Sequence, residues 1–155
     1  MKRLTLIIAI LSLCGPLLSQ DALYLRVKNA LAEKYPATDL TDKILIVNVW
    51  THEPESRECN KRADEVAAIY RVAKLRGGLK GLVGVTIQRD GSESSAAITL
   101  QNDGIKNLMP LDAAVLASDV KTAPRNIVFD SNGKELYRDL PSSGIFNSIL
   151  QLITR

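Results

Sequence analysis

The residues with chemical capability cluster in one short stretch, Thr51-His52-Glu53-Pro54-Glu55-Ser56-Arg57-Glu58-Cys59. Cys59 is one of 2 cysteines in a chain of 155 residues, and His52 is its single histidine. A thiol can act as a nucleophile or redox centre if it ionises and solvent reaches it. His52 beside Glu53 and Glu55 raises the question of a metal. Recognised sites need three or four ligands at defined spacing, and none is visible, so neither a metal nor a cofactor is expected. Ser56 with His52 is an equally thin nucleophile and base, because no orienting acid can be assigned. Arg57 contributes a permanent cation whose forked donors suit a carboxylate.

These residues need a frame. Ile44-Leu45-Ile46-Val47-Asn48-Val49-Trp50 is a continuous β-favouring run, suited to a strand covered on both faces. Pro54 stands where a helix can begin without losing a needed hydrogen bond. Glu53, Glu55 and Glu58 then lie near the positive end of that helix's dipole. Behind them Cys59, Ala63, Val66, Ala67, Tyr70 and Ala73 recur at helical spacing, which predicts a helix to about Leu75, ended by Gly77-Gly78. The phase of this stripe turns Cys59 inward, as a small hydrophobe in apolar surroundings. The competing reading is a displaced redox thiol more than one turn into the helix.

Along the rest of the chain, residues 21–34 read as an amphipathic helix closed by Pro36. Leu82–Ile87 and Leu108–Leu111 read as strands, Ser92–Asn102 as a weaker helix, and Ala113–Ser118 as a helical turn. Asn126–Phe129 and Lys134–Arg138 are strands joined through Asp130-Ser131-Asn132-Gly133, a hairpin turn by its Asn-Gly. A final helix over 142–153 is predicted to turn Ile145, Phe146, Ile149, Leu150 and Ile153 inward. This order implies an α/β fold, with a central mixed sheet flanked by helices on both faces.

The first nineteen residues differ in kind. Lys2-Arg3, an apolar Leu4–Leu13 and the Gly15-Pro16 break have the layout of a signal peptide cleaved near Ser19 or Gln20. A lipid anchor on Cys14 fits poorly, because bulky Leu13 precedes it. Cleavage would lower the formal charge from +3 to +1 and leave Cys59 as the lone thiol of an exported chain, periplasmic or extracellular. No basic stripe with interleaved aromatics points to nucleic acid. The expected organisation is a leader at 1–19, a helical extension at 20–41 and a globular domain at 42–155.

Two stretches resemble a known family. Val47-Asn48-Val49-Trp50 looks like the strand leading into a Trp-Cys-x-x-Cys turn, and Thr122–Lys134 looks like a cis-proline segment, strand and Asp-x-x-Gly-Lys hairpin. Both belong to the thioredoxin fold, in its exported TlpA/ResA-like branch of thiol–disulfide oxidoreductases. The departure lies at the site. Counted without gaps from Trp50, the family's two cysteines fall on Pro54 and Arg57, and its second tryptophan on Glu53. A dithiol needs an acidified attacking thiolate and a second sulfur to resolve the mixed disulfide, and neither position supplies sulfur.

The resemblance also implies that the residue before the cis-proline, here Ala123, faces the active turn and pairs with an extended substrate chain. The expectation is therefore a redox-inactive scaffold. Its former active face, Trp50 with Pro54, Glu55, Ser56 and Arg57 opposite Ala123-Pro124, would hold a peptide or protein partner. The alternative rests on Ser56-Arg57-Glu58-Cys59, which resembles the Thr/Ser-x-x-Cys of peroxiredoxins. In that case Cys59 would serve a thiol-dependent oxidoreductase or peroxidase, with an external thiol resolving its sulfenic acid.

Overall fold

The computed structural model describes residues 20–71, 78–118, 120 and 123–154. The expected leader with Cys14, the end of the second helix near Leu75, Gly77 and Thr122 lie outside the described residues.

The sheet has five strands in the order β3-β2-β1-β4-β5: β1 (Ile44–Trp50), β2 (Leu82–Gln88), β3 (Leu108–Leu111), β4 (Arg125–Phe129) and β5 (Glu135–Leu140). β1 and β2 pair in parallel, as do β2 and β3, whereas β4 lies antiparallel to both β1 and β5. β1 and β2 are buried along their whole lengths. That explains why their sequences are nearly continuous apolar runs rather than alternating ones.

The pleat separates the two faces. Leu45, Val47 and Val49 join one core with Val85, Ile87, Ile127 and Phe129, closed by α1 (Ala22–Lys34) through Leu23, Tyr24, Val27 and Leu31. Asp21 caps α1 by accepting from the Leu23 N–H at 2.8 Å. Residues 22–34 thus share the core of the domain that follows them. Opposite, Ile44 and Ile46 pack with α2 (Pro54–Tyr70) and α4 (Ser142–Thr154) through Ala63, Val66, Ala67, Ile145 and Ile149. α3 (Glu93–Asn102) covers the end of this face. A single turn of 3₁₀ helix spans Ala113–Val115. Gly84 lets α2 come close to the sheet, since a Cβ there would collide with Leu108 and crowd Ala67.

One expectation changes. Phe146 and Leu150 are 42% and 37% exposed, while Ile145 and Ile149 are buried. Residues one step round a helix lie about 100° apart, so a five-residue stripe is wider than the face α4 presents to the sheet. The side chain of Ile153 lies outside the described residues. The hairpin through Asp130-Ser131-Asn132-Gly133 forms as the sequence predicts, joining β4 and β5 as an antiparallel pair. Only Gly133 is left-handed there (φ 80°), and the Asp130 carboxylate organises the loop by accepting from Asn132 N and Lys134 N, both at 2.9 Å.

Candidate functional site

The site is built where β1 ends and α2 begins. Pro54 opens the helix, and the N-cap residue Glu53 makes no side-chain capping bond. The turn is held instead by Ser56, whose hydroxyl accepts from the Thr51 N–H at 2.7 Å. Ser56 is 1% exposed, so its oxygen is committed to the fold. The next loop supplies Asp90, which accepts from the His52 backbone N–H at 3.2 Å and from Gln88 Nε2 at 3.2 Å, and meets His52 Nδ1. Partial burial works to raise the Asp90 carboxyl, but the hydrogen bonds from His52 and Gln88 outweigh it and hold the carboxyl below the usual range.

Thr51, Glu53, Glu55, Ser56 and Asp90 line a cleft of about 250 Å³ together with Ala123 and Pro124. The Ala123–Pro124 peptide bond is cis. Four residues expected at the former active face therefore meet here: Glu55, Ser56, Ala123 and Pro124.

The others do not line this cleft. Trp50 is fully buried, so it cannot touch a partner; its place on the α2 side of the strand sets it against Ala96 and Leu100 of α3. Arg57 is not a free cation for an incoming carboxylate. Its Nε donates to Asp103 Oδ2 at 2.8 Å and its Nη2 meets Oδ1, a forked pair within the chain. The hydrogen bonds from Arg57 hold the Asp103 carboxyl below its ordinary range, against the opposing effect of burial. Pro54 is exposed at the helix start but does not line the cleft.

Cys59 is 2% exposed, so the inward phase of its stripe is realised. Its surroundings differ from packed hydrocarbon. Asn126 Nδ2 approaches the sulfur at 3.2 Å and Asn48 Nδ2 at 3.6 Å. Burial nevertheless pushes the thiol above its ordinary value, with the two amide donors pulling the other way. The polar shell of Cys59 had one visible signal, Asn48 interrupting the apolar run of β1. Asp90 and Asp103 carried none, since isolated acids after a strand or helix are ordinary.

No family model matches the sequence, and no curated protein matches it. Solved structures do match. The thioredoxin domain of a thiol–disulfide oxidoreductase from Bacteroides vulgatus aligns with TM-score 0.56 and 20% identity, over 75% of this chain and 83% of that one. A thiol–disulfide oxidoreductase from Bacteroides fragilis gives 0.58 and 17%, over 75% and 86%. A secreted disulfide oxidoreductase of Mycobacterium tuberculosis gives 0.55 and 14%, over 72% and 84%. The chain has a thioredoxin-like fold of the kind used by thiol–disulfide oxidoreductases. Its helix-start turn carries Pro54 to Arg57 and no thiol.

Proposed function

We propose that this chain is an exported, non-catalytic thioredoxin-fold module that holds an extended peptide or protein segment at the Ala123–Pro124 cleft without exchanging disulfides. The observation that carries this reading is the separation of sulfur from cleft. Cys59, the one thiol among the described residues, is buried beneath α2, and none of the residues lining the cleft is a cysteine. A thiol that is both buried and raised in pKa reacts slowly. Export is supported by a secreted disulfide oxidoreductase and a secreted thiol–disulfide isomerase among the similar folds. Among the described residues no helix is long and apolar enough to cross a membrane.

The cleft's charge sets what it favours. Glu53, Glu55 and Asp90 border it, and of these Asp90 is engaged by His52. A segment carrying Lys or Arg beside its extended backbone suits this lining better than an acidic one. The decisive assay combines insulin reduction with peptide titration on the mature protein. The expected outcome is no disulfide turnover, together with saturable binding that Cys59→Ser leaves unchanged. Turnover that Cys59→Ser abolishes would instead establish a single-thiol enzyme.

A further inference from the structure

The layer between α2 and the sheet contains a chain of amides whose orientation can be read from one fixed acceptor. The carbonyl of Leu140 can only accept, and it takes Nδ2 of Asn126 at 3.0 Å. Asn126 Oδ1 is therefore the end that faces β1, where it accepts from Asn48 Nδ2 at 2.8 Å. That bond fixes Asn48 in turn. β4 and β2 flank β1 on opposite sides; the Asn48 nitrogen is taken up by Asn126 of β4, and its Oδ1 is left without a partner among the described residues.

Thr86 of β2 lies opposite Asn48 in register. Its hydroxyl donates to Asn60 Oδ1 at 2.7 Å, which leaves the Asn60 Nδ2 donor over. Asn48 and Asn60 are both fully buried. Asn48 Oδ1 and Asn60 Nδ2 have no hydrogen-bond partner among the described residues. An unused acceptor on the register neighbour of Thr86 and an unused donor on its hydrogen-bond partner thus lie in the layer between α2 and the sheet. Buried polar atoms of this kind are ordinarily satisfied, and ordered water is the usual partner when protein groups do not reach.

We propose that one buried water links Asn48 Oδ1 to Asn60 Nδ2. It accepts from Asn60 and donates to Asn48, with the Thr86 hydroxyl oxygen as a further acceptor. This gives the roughly three hydrogen bonds typical of an internal water. The water closes a polar seam running from β5 through β4 and β1 to α2 and β2. In that seam Asn48 and Asn126 present their amide donors to Cys59 of α2.

A crystal structure of the mature protein at a resolution that reveals ordered waters tests this directly. The expected result is a well-occupied water peak within hydrogen-bond distance of both Asn48 Oδ1 and Asn60 Nδ2, and its loss in Asn60→Leu. A direct Asn48–Asn60 hydrogen bond, or a dry contact between them, overturns the proposal, as does a peak that survives Asn60→Leu unchanged. Should that variant fail to fold, the map of the unaltered protein still decides.

Discussion

Two places on α2, less than two turns apart, hold opposite kinds of chemistry. At the helix start Glu53, Pro54 and Glu55 are exposed, but Ser56 and Arg57 already have partners within the chain and no thiol stands there. At Cys59 a sulfur is present with two amide donors beside it, but it is buried. Neither place has both the thiol and the access that disulfide exchange requires. The comparison shows that a reactive residue type and a reactive site are separate properties. The cleft lies at the helix start, while the one sulfur among the described residues sits in the packing layer below it.

The comparison can be broken most severely at the seam. Asn126→Ala removes the donor to Leu140 and the acceptor of Asn48, leaving buried polar groups unsatisfied. The expected loss is about 3 kcal/mol in urea denaturation, at roughly 1–3 kcal/mol per stranded group. A negligible change would show that these amides are satisfied by other groups.

Next in size is the Arg57–Asp103 pair. Asp103→Ala should cost about 1–2 kcal/mol at neutral pH, a discounted value because Arg57 is over a third exposed. Asp103 has a depressed pKa, so its contribution is fully present above the ordinary carboxylate pKa of about 4 and is lost as pH falls through the lower folded value. Stability measured across that acid range should therefore decline less in Asp103→Asn than in the unaltered chain. Equal slopes would assign the acid sensitivity to other groups.

Cys59→Ala is expected to be milder, a loss of about 1 kcal/mol with peptide affinity unchanged, because sulfur is a weak acceptor and the Asn48 and Asn126 nitrogens each keep an oxygen partner. Weakened binding would instead connect the sulfur to the cleft. The smallest effect belongs to Glu55→Gln. Stability should stay within about 0.5 kcal/mol of the parent, since Glu55 is exposed. Affinity for a Lys- or Arg-bearing peptide should fall about threefold or less, by a margin that salt erases, which titration at two ionic strengths would measure.

Much of the frame was legible because local and global signals agree in it. β1 and β3 begin and end where their apolar runs do, and α2 starts at the proline whose missing N–H the first turn does not need. The site was less legible, for a geometric reason. Trp50 belongs to the expected face by its place beside the turn, yet strand alternation puts it with Ile44 and Ile46 on the side that the helices cover. Arg57 reads as an available cation until Asp103 arrives from the end of α3, 46 positions away. The phase of Cys59 correctly gave burial, but phase cannot report what the facing strands contribute. That is fixed by the register of Asn48 on Asn126.

The reactivity of Cys59 in folded protein comprising residues 20–155 tests the central claim most directly. With a thiol-specific reagent near neutral pH, the account predicts little modification until denaturant is added, and then one equivalent per chain. Rapid stoichiometric modification of the native protein would place an accessible, ionised sulfur at the surface and contradict it.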